Sequence, residues 1–440
     1  MILLPWSAAK TMNRRNFLQS ASALAVAAPA FAQGAEKTIR VGIIGAGRRA
    51  RNILRSMIDY EGTEIVAVSE VYKPNLDQIL KVVPNAQVYP DFRDLIADKS
   101  IDAVIIASPD HWHPYMCIEA CKAGKDVYVE KPISVTVHEG QMMVKAARKY
   151  NRIVQVGTQQ RSAPHFQKAA DIVQSGRLGK VTLVRTWNYS NQTLRDIGNP
   201  PDTDPPADLD WNMWLGPAPE RPYNKNRFGV HPQRYSDFRW FWDYAGGMMT
   251  DWGIHLLDIV LLAMDEPGPR AVSTMGGKYA IGDNRETPDT IQATYEFPNF
   301  VCVYENRIAN AESMFDEGYG ILFHGTEGTL FVDRRRWEVL PETREMSGET
   351  LDRIGAARSS ATGNSTRDHW IDFVESIRSR EQPVSDILIG HRSTATALLG
   401  NVALRSRQRF DWDPIAETTE NKEAQSFLQR EHRAPWKLEL

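Results

Sequence analysis

The sequence predicts an α/β fold, with an open parallel sheet in its N-terminal part and a second domain richer in strands. Three observations carry this. Thr38 to Ile44 is a nearly continuous β-branched run that passes at once into Gly45-Ala46-Gly47-Arg48-Arg49-Ala50 and a helical pattern over Arg49–Ile58. Three more short runs read as strands: Glu64–Ser69, and the buried Ile101–Ala107 and Asp126–Val129. The 440 residues are 42% hydrophobic and 24% charged, an ordinary globular balance that suits two or three domains.

Composition also excludes classes. The formal charge of -3 lacks the basic excess of a general nucleic-acid binder. Cys117, Cys121 and Cys302 are too few for a disulfide scaffold. The first two, four apart on a helical stretch, read as packing rather than as a metal site. Residues 1–36 read as an address and short linker. Arg14-Arg15 with Phe17-Leu18 precedes an apolar small-residue run and the cleavage-type Ala30-Phe31-Ala32. The arginine pair resembles a twin-arginine signal, which exports folded proteins, with Met1 and Met12 both open as start sites. The run is too short and alanine-rich for a good membrane span, so no membrane insertion is expected. The expected location is exported and periplasmic, with the twin-arginine machinery as a partner.

Residues 37–157 form the expected nucleotide-binding domain. In the G-x-G-x-x-A turn, Gly45 permits the tight bend, Gly47 lets the backbone approach a pyrophosphate, and Ala50 allows close helix packing. The helix start, with Arg48 and Arg49, offers free N–H groups to phosphates. Glu70 ends the second strand near the spacing of the acid that binds ribose hydroxyls. A carboxylate there favours NAD, while Lys73 keeps NADP open. A solvated loop acid is the plainer reading of Glu70. Ser108-Pro109-Asp110-His111-Trp112-His113 and Glu130-Lys131-Pro132 follow two further strands. Ligands of open parallel sheets gather at such ends, so Ser108, Pro109, His111, His113 and Glu130 are cofactor candidates. His111 and His113 lack partners at metal-ligand spacing, and no metal is expected.

These residues resemble the Gfo/Idh/MocA oxidoreductase family. A second signature, Gly246-Gly247-Met248-Met249-Thr250-Asp251-Trp252-Gly253-Ile254-His255-Leu256-Leu257-Asp258, matches G-G-x-x-x-D-x-G-x-H-x-x-D throughout. Gly157-Thr158-Gln159-Gln160-Arg161 is similar to a further family segment, placing Gln159 among the cofactor candidates. The resemblance runs from about Arg40 to Pro414. It implies a Rossmann domain, then a C-terminal α+β domain over 158–440, built on a large open, mainly antiparallel sheet. Such sheets often assemble the chain into a homo-oligomer, here a dimer or tetramer. Strand-like runs at Val181–Tyr189, Thr290–Phe297, Val301–Arg307 and Gly328–Val332 agree, and helices at Asp368–Arg378 and Ser393–Ser406 could pack on the sheet. The irregular stretch from Ser190 to Arg239 is long enough to be functional.

The resemblance makes Lys131, Asp251 and His255 the catalytic group. The chemistry independently wants such residues: oxidising a secondary alcohol needs a base for the hydroxyl proton, and histidine has a suitable pKa. His255 is expected as base, Asp251 as orienting group and Lys131 as hydrogen-bond donor to the reacting oxygen. A self-satisfied helix pair is the structural alternative for Asp251 and His255. Six of the twelve tryptophans fall between Trp187 and Trp252. With Arg161, Asn188, Trp240 and Arg239 they suggest a sugar or glycoside substrate, though aromatics also fill ordinary cores. Export implies a non-dissociating NAD(H) and redox-neutral chemistry. A glycoside hydrolase working by transient oxidation, a simple dehydrogenase and a non-catalytic sugar-binding protein are the alternatives.

Overall fold

The computed structural model describes residues 37–194, 196–231, 236–342 and 354–440. The export-signal residues, including Arg14, Arg15 and Ala30-Phe31-Ala32, lie outside the described residues. Thr38–Leu440 pack as one unit.

The N-terminal part alternates strands and helices: β1 Ile39–Ile44, α1 Arg48–Met57, β2 Thr63–Ser69, α2 Lys73–Leu80, β3 Gln87–Tyr89, α3 Phe92–Ala97, β4 Ala103–Ile106, α4 His113–Lys122, β5 Asp126–Val129, α5 Val137–Lys149 and β6 Val154–Val156. The strands pair in parallel in the order β3-β2-β1-β4-β5-β6, the doubly wound arrangement of a Rossmann domain. β4 and β5 are buried along their whole length; β4 is all apolar, and the one charge of β5, Asp126, is met by Arg380 and the Ile153 amide. α1 turns Ala50, Ile53, Leu54 and Met57 onto the sheet. Each large side chain buried this way contributes roughly 1.5–3 kcal/mol. Cys117 and Cys121 are buried in α4, as packing demands.

The second part begins with α6 Pro164–Gln174 and β7 Val181–Asn191. A ribbon of β8 Asp202–Thr203 and β9 Tyr223–Asn224 follows, with the short helices α7 Trp211–Leu215 and α8 Lys225–Phe228. A single π-helical turn, Met249–Gly253, leads into α9 Ile254–Met264. The remaining strands are β10 Ala271–Gly277, β11 Thr290–Glu296, β12 Val301–Arg307, β13 Ala309–Asn310, β14 Tyr319–Gly325, β15 Gly328–Val332, β16 Arg336–Pro341, β17 Ala357–Ser360 and β18 Phe410–Asp411. They form a ten-stranded sheet, antiparallel except for the β12–β7 pair. α6, α9 and α11 Ile387–Ser406 cover one face, where Leu257, Val260, Ala293, Tyr295 and Tyr304 close a continuous core.

Two placements differ from expectation. α10 Ser365–Ser379 does not join the ten-stranded sheet; Trp370, Phe373 and Val374 pack with β1 and α1 on the parallel one. The helix starts three residues early because Asn364 caps the Thr366 and Arg367 amides. α11 starts at Ile387, where Asp386 caps the Leu388 amide. The chain end also returns to the parallel sheet. After α12 Lys422–Gln425, Trp436 seats against Phe92, Trp112 and Tyr115, while Arg430 and His432 both reach the buried Glu139 of α5.

Candidate functional site

The carboxyl ends of β1, β2, β4 and β5 open into a cavity of about 690 Å³. Its far wall is the π-helical turn and the start of α9, and the stretch after β7 roofs it with Trp214, Phe228 and Trp240.

At the floor, Gly45 adopts φ +86, and a Cβ there would stand 2.7 Å from the Ser108 amide. The β1 turn is therefore pressed against the end of β4. Gly47 is different: a Cβ built on it meets nothing within 4 Å. Gly47 also leaves α1 without a side-chain cap or an acidic residue in its first turn. That helix start lies on the cavity wall and is suited to a phosphate. Glu70 lines the same end but holds the loop: its carboxylate accepts from the amides of Ala46, Val71 and Tyr72 at 2.8 to 2.9 Å. Burial pushes its pKa up against those donors and Asn75. Arg49 spans the cavity floor to Glu130 at 2.6 Å and to Gln159 at 3.4 Å. Arg48, Ser108 and Pro109 also line it.

Lys131 enters from β5. Its Nζ donates to the Asp251 carbonyl at 2.7 Å and to Oδ1 at 3.0 Å. Arg239 holds the other oxygen of Asp251 at 2.5 Å. Burial alone would raise the Asp251 pKa, but Arg239 and Lys131 hold it far below the usual carboxylate range. The expected four-residue spacing of Asp251 and His255 spans the π-helical turn, a distortion often found at functional sites. Turn and helix still present both residues to the cavity. His255 Nδ1 is buried with no protein partner. The pKa expected of a histidine base is not what this site produces. Burial first, then the charges of Lys131, Arg334 and Arg49, push His255 well below 6.5. The imidazole is thus neutral at neutral pH.

Three expected site residues lie off the cavity wall. Arg161 ends on Asp258 at 2.8 and 3.0 Å, in a buried pair joined by Ser393, so it locks α9 to α11 rather than meeting substrate. Asn188 is buried in β7 and accepts from Asn306 across the sheet. His111 turns away and bonds the Trp214 carbonyl at 3.0 Å, anchoring the roof. His113 lines the cavity, but both ring nitrogens are taken, by the carbonyls of Pro132 and Ser108. Among the described residues no cluster of three or more His, Cys, Asp or Glu is placed to hold a metal.

Other residues escaped sequence reasoning. Arg334, from the β15–β16 turn, lies over Trp252 at 4.6 Å and donates to Gln160 at 2.9 Å, beside His255. No local pattern marks it. Asp110, inside the Ser108–His113 segment, also lines the cavity. The buried Arg285, paired with Asp283, sits over the Trp240 ring at 4.8 Å.

Fold and cavity together define a nucleotide-binding Rossmann domain completed by a sheet-based second domain. Two family models match: "Oxidoreductase family, NAD-binding Rossmann fold" over residues 39–158 and "Oxidoreductase family, C-terminal alpha/beta domain" over 165–364. The chain belongs to the Gfo/Idh/MocA oxidoreductase family, and its first domain is of the NAD-binding kind. Inositol 2-dehydrogenase of Salmonella typhimurium is 31% identical over 166 residues, 37% of this chain and 49% of the relative. An uncharacterized oxidoreductase of Bacillus subtilis is 34% identical over 149 residues, 34% of this chain and 44% of that protein. The chain thus spans about half the length of the curated relatives it matches. Among solved structures, a levoglucosan dehydrogenase in complex with NADH and levoglucosan shares the fold, with TM-score 0.64, 17% identity, and 85% and 99% of the two chains covered. An oxidoreductase from Desulfitobacterium hafniense aligns at TM-score 0.66 and 15% identity, covering 89% and 99%.

The residues fit a dinucleotide. The vacant space at Gly47, the uncapped start of α1 and the unpartnered His255 Nδ1 all face one cavity.

Proposed function

We propose that the chain is an NAD(P)-dependent oxidoreductase acting on a secondary alcohol of a sugar, polyol or glycoside, with the nicotinamide cofactor retained through a redox-neutral cycle. The observation that carries this is the Lys131–Asp251–Arg239 array beside a neutral His255, opposite the uncapped start of α1. Gly45, Gly47 and the first turn of α1 would hold the pyrophosphate, Glu70 would hold the ribose end, and Glu130 and Lys131 would border the nicotinamide. When bound, NAD supplies a reversible two-electron exchange at carbon.

The chain's own groups do the rest. Asp251, locked between two cations, holds the Lys131 ammonium in place. Lys131 then donates to the reacting oxygen as negative charge develops there. His255, neutral, offers Nδ1 or its N–H to a neighbouring hydroxyl. The faces of Trp240 and Trp252 give apolar platforms to sugar C–H groups. Inositol and levoglucosan dehydrogenases among the similar proteins support a polyhydroxylated substrate.

Retention draws support from the roof. Val71 and Tyr72, just past Glu70, pair with Leu209 and Asp210 of the roof, and Tyr72 packs edge-on to Phe228 at 5.1 Å. These contacts tie the segment after β2 to the roof over the cavity. The same feature favours glycoside hydrolysis by transient oxidation as the second reading. Export through the twin-arginine route to the periplasm, and homo-oligomerisation, belong to the proposal.

The test is to purify the protein, release and identify its nicotinamide, and assay myo-inositol, levoglucosan and p-nitrophenyl glycosides. Stoichiometric NADH with added NAD⁺ supports a simple dehydrogenase and overturns the retained, redox-neutral cycle. Free sugar without added NAD⁺ supports the hydrolase. A cofactor-free protein that binds no NADH would overturn both.

A further inference from the structure

The cavity holds two carboxylates against its two central cations, and their situations differ. Asp251 is tied to Lys131 and Arg239. Asp110 follows β4 through Ser108 and Pro109 and opens the short turn Asp110–Trp112. β4 and β5 are adjacent, with Ile106 opposite Val129, so Asp110 and Lys131 leave the sheet at the same end. Both line the cavity. The charged groups facing Asp110 are Lys131 after β5, Arg239 from the turn Asp237–Trp240, and Asp251 from the π-helical turn. Among the described residues, no ion pair or hydrogen bond joins the Asp110 carboxyl to another side chain.

We propose that Asp110 is a further acid–base residue of this site, the carboxyl that takes the substrate's hydroxyl proton on oxidation and returns it on reduction. The inference rests on the oxidoreductase reading above. Asp251 is tied to Lys131 and Arg239 and held ionised, so of the two carboxyls facing those cations only Asp110 is outside an ion pair among the described residues. Burial pushes Asp110 up to about 7, with Lys131 and Arg239 pulling down and Asp251 pushing up. A general acid–base group works best with a pKa near the operating pH. In the step, the substrate O–H bond breaks and its proton passes to the Asp110 carboxylate. The C–O bond becomes a carbonyl, and the C–H hydrogen leaves with its electron pair to NAD⁺. Reduction runs the same transfers backwards, leaving the carboxylate free again.

Asp110→Asn tests this, because the amide keeps the side-chain volume while removing the titratable proton. Infrared difference titration of the holoenzyme, wild type against variant, reads the protonated-carboxyl band directly. The expected result is a band with a midpoint near neutrality that the variant lacks. With myo-inositol and levoglucosan as probes, kcat should fall roughly 100-fold or more. KM should stay within about threefold, and the limb of the pH profile near neutrality should vanish. Asp110→Glu should restore part of kcat. An identical infrared band in both proteins, or a variant with the wild-type pH profile, overturns the proposal. If the purified protein carries no nicotinamide and binds no NADH, the oxidoreductase reading fails, and the infrared titration by itself decides whether Asp110 exchanges a proton.

Discussion

The two glycines of the first turn should respond to alanine in opposite ways. Gly45 has φ +86, and its Cβ would sit 2.7 Å from the Ser108 nitrogen and 2.9 Å from the Ala107 carbonyl carbon. Left-handed backbone costs an alanine roughly 1–2 kcal/mol. The clashing atoms are backbone at the end of a buried strand and cannot rotate aside. Gly45→Ala should therefore lose about 2–4 kcal/mol of stability. Gly47 has φ -61 and ψ -178, open to any residue, with empty space beyond. Alanine caps a helix less well than glycine, by up to about 1 kcal/mol. Reduced freedom of the unfolded chain returns about 0.4–1 kcal/mol. Gly47→Ala should therefore keep its stability within about 0.5 kcal/mol of wild type. Its methyl, however, occupies the path by which backbone N–H groups reach a pyrophosphate. NADH affinity should drop at least about tenfold, or 1.4 kcal/mol. Thermal unfolding, fluorescence titration of stripped protein with NADH, and nicotinamide content after purification read the three quantities. A Gly47→Ala protein with wild-type NADH affinity would refute the assignment of this turn to the cofactor.

Other tests follow from the same geometry. Burial would raise the pKa of Glu139, but Arg430 and His432 overcome it and hold it at about 2 against an ordinary 4.5. A depressed acid stabilises the fold above its unfolded pKa, here about 3 kcal/mol, and loses this as pH falls from 4.5 towards 2. Glu139→Gln should thus lower the urea midpoint at pH 7, with the gap to wild type closing in acid. Lys131→Met removes a cation that balances Asp251 and should cut turnover roughly 100-fold or more while leaving a folded protein, as circular dichroism would check. Trp211 stacks at 4.8 Å on Trp214, one of the roof residues. Trp211→Ala should speed loss of bound nicotinamide on dialysis, and an unchanged off-rate would separate the roof from cofactor retention.

Local pattern made much of this protein legible. β1, the glycine turn and α1 follow one another in the chain, so apolar run, turn chemistry and helix period suffice to find them. Lys131, Asp251 and His255 each sit in a motif whose spacing is itself the signal. The structure brings together Lys131 and Asp251, 120 positions apart, a meeting the motifs anticipate only through resemblance. Arg161 and Asn188 were misplaced because sequence proximity to a motif does not say which way a side chain points. Arg161 turns inward, where Asp258 offers a buried carboxylate that an exposed arginine would not find.

By itself the sequence determined the order of elements, the glycine turn after β1 and the motifs that carry Lys131, Asp251 and His255, since all are set by neighbours within a few positions. Tertiary structure alone decided their electrostatics. Whether a carboxyl is pinned between cations, as Asp251 is, or stands outside any ion pair among the described residues, as Asp110 does, depends on side chains delivered from distant segments. The same holds for His255, whose suitable sequence pKa is overturned by burial beside Lys131, Arg334 and Arg49. It holds too for the stretch after Ser190, irregular in sequence, which becomes a roof only where Tyr72 and Trp112 are there to receive it.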